Sequence, residues 1–556
     1  MNGSVADILD LWARERPDDI ALIDRGRPIR IADLAGESRK VAASLSSLGI
    51  VKGDRVAIWL PNVPAWIALF VACCRIGAIA VAANTRFRSA EMKVLLRRTR
   101  PRAICYWPDF RGINFGGILG DVDPSSRGSL EIAVTYSDGA QPHGRTPVPA
   151  ACRGVSYRSL AAHRDDAVSP GGREDMCILF STSGTTSEPK FVAHAQSSIA
   201  DHAAAVGSRF SWVGSNAVIL QILPFCGTFG LSQLMAALTS RRPTVMRERF
   251  AAADAARDIE SFAISHLCGT NDAIRDIHEL MPPEARPRDD GFWAFARFNP
   301  GLDNLPADLA RRGIRLVGLY GSSEMQALFA AQDPLSGIED RFLPGGHPVS
   351  PQAAVRVREP GTGRLCGPGE PGELEFTGPS MMRGYFEAPE ATRDAITEDG
   401  FFRSGDIGEL RPNGGFIFRS RAGDFLRLNG FLVHPAEIEA YIQAHADVEA
   451  CQVVEAAAPE GAVAVAFITT NPGGNAAPES LRDWCLSGLA RYKVPRYFVQ
   501  LAEFPVTDSA NGVKIKREKL REWATEVVLR GEAAIDQNGR AGHVGASNGW
   551  GKGKRL

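Results

Sequence analysis

The chain has 556 residues, which is too long for one ordinary domain, and its 44% hydrophobic and 23% charged residues are typical of a globular protein. Lys and Arg number 63 against 64 Asp and Glu, so the chain lacks the basic excess of a protein dedicated to nucleic acid or to anionic membranes. The ten cysteines show no metal-binding spacing, and we expect reduced, mostly buried thiols.

The most apolar stretch, residues 65–83, is interrupted by Arg75 and Gly77. This pattern predicts a buried helix that ends near Gly77, followed by a buried strand at 78–82, rather than a membrane-spanning helix. The N-terminus is polar and acidic and shows no secretory signal. We therefore predict a cytoplasmic protein without a transmembrane segment.

Short apolar runs alternate with helical patterns from the N-terminus onward, which is typical of mainly parallel α/β layers. The predicted strands are 55–60, 78–82, 103–106, 177–180, 217–223 and 315–319. From about Gly345 the sequence changes to strands with frequent glycines, and we predict a smaller β-rich lobe there.

The composition also places two domain boundaries. We predict a large N-terminal domain over 1–423, a small α+β domain over 424–530, and a disordered, glycine-rich tail over 531–556. In the small domain the predicted helices are 435–444 and 478–489, and the predicted strands are 450–455, 462–470 and 497–501. The fold class is therefore α/β, with layered α/β subdomains and a β-rich lobe in the large domain and an α+β C-terminal domain.

Residues 181–190 read STSGTTSEPK and directly follow an apolar run at 176–180. Backbone amides, hydroxyls and one ammonium in such a loop can surround a polyphosphate. The spacing of Gly184 and Lys190 is not that of the GxxxxGK[ST] loop of P-loop NTPases. Taken alone, the loop is equally consistent with a solvated Ser/Thr linker.

The loop resembles the phosphate-binding signature of the superfamily that contains acyl-CoA synthetases, luciferases and peptide-synthetase adenylation domains. Four more segments follow in the order of that superfamily: YGSSE at 320–324, SGD at 404–406, RAGD at 421–424, and NGVKIKR at 511–517. Because five motifs in one order rarely arise by chance, the chain is identified as a member of this superfamily, closest to carboxylic acid–CoA ligases. The resemblance implies that the C-terminal domain is a mobile cap.

The activity implied by the resemblance is the ATP-dependent activation of a carboxylic acid in two steps. The carboxylate attacks the α-phosphorus of ATP and expels pyrophosphate, and the thiol of CoA then attacks the acyl-adenylate and releases AMP. ATP, Mg²⁺ and CoA as co-substrate are the implied cofactors. Two anions meet in the first step, so positive charge and oriented dipoles have to offset their repulsion.

The resemblance also implies roles for individual residues. The nucleotide would contact Thr182, Ser183, Gly184, Thr185, Thr186, Lys190, Tyr320, Gly321, Ser322, Ser323, Asp406, Arg421 and Lys514. Glu324 would bind Mg²⁺, which prefers carboxylate and phosphate oxygens, and Asp406 and Arg421 would bind the ribose. Lys514 would reach the α-phosphate and the acid, and is predicted as catalytic together with Glu324 and Thr185. Asp424 would be the hinge between the two half-reactions.

Plainer alternatives stay open for these residues. Lys190 could be a solvated lysine, Glu324 a helix-capping residue and Tyr320 a core residue, and Asp406 could form an ordinary Asx-turn. Lys514 lies in a basic segment, in which Lys516 is a rival for the catalytic role.

The sequence departs from the superfamily pattern at several positions. Ser187 replaces a glycine of the phosphate loop, and Asn429 replaces the first of two glycines, before Gly430, beside the expected CoA channel. Gly227 stands where a histidine or an aromatic gate is usual. With Phe225 and Phe229 it would line the acyl pocket, which favours a bulky or long aliphatic or alicyclic acid.

Two other functions remain open at this stage. The first is an adenylating enzyme whose acceptor is a carrier protein or an amine, and the second is a nucleotide-binding pseudoenzyme. The expected partners are small molecules (the acid, ATP and CoA) and no nucleic acid. The sequence is compatible with a homo-oligomer.

Overall fold

The structure is a computed structural model of the chain. It describes residues 3–138, 152–182, 189–282, 285, 288, 291–296, 305–421, 426–428, 431–433, 435–458, 461–474, 476–489, 491–509 and 512–538.

The helices, in chain order, are α1 (Val5–Glu15), α2 (Ile31–Ser47), α3 (Pro64–Ile76), α4 (Ser89–Thr99), α5 (Phe115–Asp121), α6 (Pro124–Arg127), α7 (Tyr157–Ala161), α8 (Gln196–Arg209), α9 (Thr228–Thr239), α10 (Ala252–Ser261), α11 (Asn271–Leu280), α12 (Leu305–Arg311), α13 (Ile338–Arg341), α14 (Pro389–Ala395), α15 (Pro435–Gln443), α16 (Pro478–Gly488) and α17 (Arg517–Asn538).

The strands are β1 (Ile20–Asp24), β2 (Arg27–Arg30), β3 (Arg55–Trp59), β4 (Ile79–Ala82), β5 (Ala103–Tyr106), β6 (Ile132–Thr135), β7 (Arg153–Ser156), β8 (Met176–Ser181), β9 (Phe191–Ala195), β10 (Ile219–Gln221), β11 (Thr244–Met246), β12 (His266–Thr270), β13 (Trp293–Ala296), β14 (Leu316–Ser322), β15 (Gln326–Ala331), β16 (Gly345–Pro348), β17 (Ala354–Arg358), β18 (Gly372–Thr377), β19 (Gly384–Tyr385), β20 (Phe402–Leu410), β21 (Phe416–Arg421), β22 (Leu426–Leu428), β23 (Phe431–Val433), β24 (Val448–Ala458), β25 (Gly461–Thr470), β26 (Tyr497–Gln500), β27 (Val506–Ser509) and β28 (Gly512–Ile515).

The most apolar part of the chain forms the helix and the strand that the sequence predicts. Pro64 fits the first turn of α3, because the N–H that it lacks would have no helical partner there. Gly77 ends the helix in the left-handed region, with φ of 69°. The helix is apolar nearly all round because it packs against α1, α2, β3 and β4. No helix in the described part of the chain is long and apolar enough to cross a membrane.

One sheet has the strand order β19-β9-β8-β4-β3-β5-β6-β7. The strands from β8 to β7 pair in parallel, whereas β9 and β19 are antiparallel additions at one edge. Since parallel strands end at a common edge, Ser181 at the end of β8 lies at the edge where ligands of open α/β sheets usually bind. The strands predicted at 55–60, 78–82, 103–106 and 177–180 are β3, β4, β5 and β8.

A second sheet has the order β17-β18-β20-β21-β16-β15-β14-β13-β12-β10-β11-β1-β2. In this order, neighbouring strands from β14 to β1 pair in parallel. Neighbouring strands from β17 to β14 pair antiparallel. The predicted β-rich lobe is therefore a continuation of the parallel sheet. The end of β14 lies close to β20, since the hydroxyl of Tyr320 reaches Asp406.

The C-terminal region contains β24, β25 and β26 in one sheet, covered by α15, α16 and α17. Its core includes Ile438, Cys451, Val453 and Ile468, all buried. Helix α17 runs to Asn538, past the predicted start of the tail, and the rest of that tail lies outside the described residues. The boundary at 423/424 also lies there, so the domain limits stay predictions.

Candidate active site

The predicted phosphate loop joins the antiparallel strands β8 and β9. Thr182 donates its backbone N–H and its hydroxyl to the carbonyl oxygen of Lys190, at 2.9 and 3.3 Å. These two bonds close the base of the loop. The positions between them (Ser183, Gly184, Thr185, Thr186 and Ser187) lie outside the described residues, so their phosphate contacts stay predictions.

Glu324 lies in the tight turn from β14 to β15. The hydroxyl of Ser322 accepts a hydrogen bond from the N–H of Met325 at 3.1 Å. Gly321 allows a close backbone approach, because a Cβ there would lie 2.5 Å from the Cα of Ala327. A strand follows this turn, so the alternative of a helix-capping role for Glu324 is wrong.

Tyr385 connects Glu324 to Lys190. Its hydroxyl donates to Oε1 of Glu324 at 2.9 Å, and Nζ of Lys190 lies 4.7 Å from the centre of its ring. The structure thus places the end of the phosphate loop beside the predicted metal ligand. Tyr385 carries no functional signal in the sequence, because a tyrosine after a glycine is ordinary in a β-rich segment.

A second group consists of Tyr320, Asp406 and Arg421. The hydroxyl of Tyr320 donates to Oδ2 of Asp406 at 2.5 Å, and β20 pairs with β21 so that Asp406 lies opposite Arg421. Oδ1 of Asp406 forms an ion pair with Nε of Arg421 at 3.0 Å, yet accepts no hydrogen bond from any described residue. This buried oxygen therefore has capacity for a further donor.

The backbone of the SGD turn is held by Ser404 and Gly405. The hydroxyl of Ser404 accepts from the N–H of Asp406 at 3.0 Å, and its carbonyl accepts from Nη1 of Arg421 at 2.9 Å. Gly405 has φ of 66°, where a glycine is favoured. The Asx-turn alternative for Asp406 is wrong, because the side-chain oxygen that closes this turn belongs to Ser404.

Burial shifts the pKa values of the acidic groups at this site. It raises the pKa of the Asp406 carboxyl, while the guanidinium of Arg421 opposes that rise. Burial also raises the pKa of the Tyr320 and Tyr385 hydroxyls, and the neighbouring carboxylates raise both further. Both phenols are therefore protonated at neutral pH and act as donors.

Tyr320 is buried, and its ring packs in an aromatic cluster, with its centroid 5.0 Å from that of Phe376, 5.2 Å from that of Phe416 and 5.8 Å from that of Phe418. The ring of Tyr320 is thus part of the hydrophobic core, as the plainer alternative for this residue predicted. Its predicted contact with adenine stays a prediction.

The predicted acyl-pocket residues surround the start of α9. Phe225 is buried against Trp66, with ring centroids 5.5 Å apart, and its N–H donates to Oδ1 of Asn62 at 2.9 Å. Gly227 precedes the helix, and Phe229 belongs to a different hydrophobic cluster from Phe225. The role of these residues around an acyl group stays a prediction.

The residues expected from the C-terminal motifs are only partly described. Asp424, Asn429 and Gly430 lie outside the described residues. Lys514 lies in β28, opposite Thr507 of β27, and Lys516 follows that strand as an exposed residue. The choice between the two lysines stays open.

Two buried histidines hold the segment that follows β14. Nε2 of His194 donates to the carbonyl of Ser323 at 2.8 Å, and Nε2 of His202 donates to the carbonyl of Ala327 at 2.7 Å. Burial lowers the pKa of each imidazole to about 4. The sequence analysis missed both, because their partners lie more than a hundred residues away.

The lowered pKa of these histidines predicts a loss of stability in acid. In the unfolded chain these histidines take up protons below about pH 6.5, whereas in the folded chain they do so only near pH 4. The contribution of the neutral histidines to the free energy of unfolding is therefore complete above about pH 6.5, and it is lost as the pH falls through about 4. His202→Gln keeps a donor for Ala327 but does not titrate, and should remove about 3 kcal/mol of this loss. The check is the apparent urea midpoint at about pH 7 and about pH 4.5. An equal fall in both proteins would contradict this account.

Comparison with known sequences and structures identifies the family. The sequence model of the AMP-binding enzyme family matches residues 9–386, and that of its C-terminal domain matches residues 437–511. The chain belongs to the AMP-binding enzyme family. This confirms the superfamily and the AMP-forming ligase class that the five motifs predict.

Similar proteins cover nearly the whole of this AMP-binding enzyme. The medium-chain acyl-CoA ligase ACSF2 of Mus musculus, a mitochondrial protein, is 27% identical over 94% of this chain and 88% of its own length. ATP-bound MatB from Rhodopseudomonas palustris superposes with a TM-score of 0.80 at 21% identity, over 95% of this chain and all of that one. The o-succinylbenzoate coenzyme A synthetase MenE of Bacillus subtilis, solved with ATP and magnesium ion, has a TM-score of 0.75 at 22% identity, over 92% of this chain and 99% of its own. These structures confirm the predicted α/β fold.

The family of this AMP-binding enzyme uses ATP, Mg²⁺ and CoA as co-substrate, and the described residues fit the first two. Oδ1 of Asp406 is a buried acceptor without a hydrogen-bond donor among the described residues, which suits a ribose hydroxyl. Lys190 supplies a cation for phosphate, and Glu324 supplies one carboxylate, the usual complement of a Mg²⁺ that also binds phosphate oxygens.

Proposed function

We propose that this AMP-binding enzyme is a cytoplasmic, ATP-dependent carboxylic acid–CoA ligase that forms an acyl-adenylate and then an acyl-CoA thioester. One observation carries the proposal. Residues from distant parts of the chain meet in two adjoining groups, Lys190–Tyr385–Glu324 and Tyr320–Asp406–Arg421. Together they provide one site for phosphate and metal and one for a ribose.

In the first half-reaction the chain has to hold ATP against an incoming carboxylate. Asp406 accepts hydrogen bonds from the ribose hydroxyls, and the guanidinium of Arg421 opposes the rise in the pKa of that carboxyl that burial causes. Lys190 and the loop before it hold the terminal phosphates. Mg²⁺, when bound at Glu324, neutralises phosphate charge. Lys514 offsets the charge that the acid brings to the α-phosphorus.

In the second half-reaction the thiol of CoA replaces AMP on the acyl group. A lysine delivered by a small domain has to leave after adenylation, and a flexible stem with a compact ammonium suits that role. Asp424 is the proposed hinge, and Asn429 with Gly430 would border the CoA channel. The acid is proposed to be bulky or long, because Gly227 would bring no large side chain into an acyl pocket lined by Phe225 and Phe229.

The acceptor decides between this proposal and an enzyme that loads a carrier protein or an amine. Support for CoA comes from the likeness to the acyl-CoA ligase ACSF2 and the coenzyme A synthetase MenE. The GFLVHPAEIEA segment after the hinge also resembles CoA ligases. The test measures AMP released from ATP with one active acid, first with CoA, then with a carrier protein bearing phosphopantetheine, and then with an amine. We expect AMP and a thioester in equal amounts with CoA. AMP release that is indifferent to CoA but follows either other acceptor would reject the ligase.

A further inference from the structure

We propose that Tyr385 is the residue that positions Glu324 for the metal and keeps Glu324 apart from Lys190; this inference rests on the nucleotide site of the proposed function. The two side chains have opposite charges and lie on either side of the same tyrosine. No ion pair joins them among the residues that the structure describes. A direct pair would neutralise the cation meant for phosphate and occupy the carboxylate meant for metal.

Tyr385 meets the two charges with two different parts of its side chain. The hydroxyl donates to Oε1 of Glu324 at 2.9 Å, and the face of the ring lies 4.7 Å from Nζ of Lys190, within the range of a cation–π contact. The hydroxyl of Tyr385 holds Oε1, and the other oxygen of Glu324 would be available to the metal.

The position of Tyr385 is fixed by its backbone. Its strand, β19, pairs with β9, and Tyr385 lies opposite Val192. Val192 is only two residues after Lys190 in the chain. Its own N–H donates to the hydroxyl of Thr392 at 2.9 Å. A Cβ on Gly384 would lie 2.9 Å from Cγ2 of Thr392, so this approach of α14 to the strand requires the glycine. The phenol therefore has a defined location relative to the phosphate loop.

The backbone around Glu324 is held from β9 and from the segment just before β19. Its carbonyl accepts from the N–H of Met382 at 2.7 Å, and the preceding carbonyl, of Ser323, accepts from His194 in β9 at 2.8 Å. Tyr385 thus adds a side-chain contact to a peptide that is already fixed. Lys190 and Glu324 are thereby held in one unit, and Tyr385 contacts the charged groups of both.

The test compares Tyr385→Phe, which keeps the ring and loses the hydroxyl, with Tyr385→Leu, which loses both. The readout is Mn²⁺ bound in the presence of ATP, measured by electron paramagnetic resonance without acid or CoA. We expect Tyr385→Phe to weaken Mn²⁺ binding about tenfold, because it loses one hydrogen bond to a charged group. Tyr385→Leu should weaken ATP binding as well, because it also loses the ring beside Lys190. The KM for the acid should stay the same while the KM for ATP rises.

The matched control is Tyr157→Phe. Tyr157 is a buried tyrosine whose hydroxyl donates to a glutamate, Glu37, outside the candidate site. It should leave Mn²⁺ and ATP binding unchanged. In a Glu324→Gln background the effect of Tyr385→Phe on Mn²⁺ should vanish, because the residue acts through that carboxylate.

Wild-type Mn²⁺ affinity in a folded Tyr385→Phe protein would overturn the inference, as would an equal loss in the Glu324→Gln background. These outcomes are distinct from a failure of the proposed function. An enzyme that binds Mn²⁺ and ATP as described but forms no thioester would refute the ligase and leave the role of Tyr385 standing.

Discussion

Lys514→Ala is expected to lose acyl-adenylate formation by about 10²–10³-fold while it still converts a supplied acyl-adenylate and CoA into thioester. The ammonium is needed only where the carboxylate approaches the α-phosphorus, and adenylation is the step in which two anions meet. The measurement is pyrophosphate release for the first half-reaction and thioester formation from synthetic acyl-adenylate for the second.

Lys516→Ala is the matched control for this experiment. It removes the same charge from an exposed position just after β28, so it should leave both half-reactions close to the wild type. If Lys516→Ala loses adenylation and Lys514→Ala does not, the catalytic lysine has been assigned two positions too early. Equal loss of both half-reactions in Lys514→Ala would instead indicate damage to the small domain.

Glu324→Gln is expected to lower kcat/KM for ATP by about 10²-fold, because the substitution removes a charge of the metal site and keeps the size of the side chain. The loss should shrink as the Mg²⁺ concentration is raised, since a weaker ligand is offset by mass action. The measurement is the rate of pyrophosphate release over a series of Mg²⁺ concentrations at fixed ATP.

The control for Glu324→Gln is Glu390→Gln, an exposed glutamate at the start of α14 close in sequence to Tyr385. It should leave the Mg²⁺ dependence unchanged. A Glu324→Gln enzyme with wild-type Mg²⁺ dependence would show that this carboxylate does not bind the metal.

Much of the fold follows from local patterns in the sequence. The helix–strand pair α3–β4 could be predicted because Gly77 and the flanking apolar runs are adjacent in the chain. Of the motif residues, Lys190, Glu324, Tyr320, Asp406 and Arg421 could be chosen from the sequence because each lies in a recognisable local cluster. Local patterns could not show whether the β-rich lobe is separate from the parallel sheet. The two are joined by the pairing of β15 with β14 and with β16, which local sequence does not reveal.

What the sequence analysis missed are contacts between residues far apart in the chain. Tyr385 is 61 residues from Glu324, and His194 is 129 residues from the carbonyl that it holds. Neither residue carries a local signal of function, because its role depends on a partner that only the folded sheets bring near. Tyr320 shows a third case, since the motif places it at the nucleotide, while its ring also packs against Phe376 and Phe416.

The central claim is that this AMP-binding enzyme uses ATP to activate a carboxylic acid for transfer to CoA. The most direct test measures pyrophosphate and AMP across a panel of short-chain, long-chain, aryl and alicyclic acids, each with and without CoA. We predict pyrophosphate release only with an acid, strongest for bulky or long acids, and sustained AMP release only when CoA is added. ATP binding without any acid-dependent pyrophosphate release, in an enzyme shown to be folded, would contradict the account.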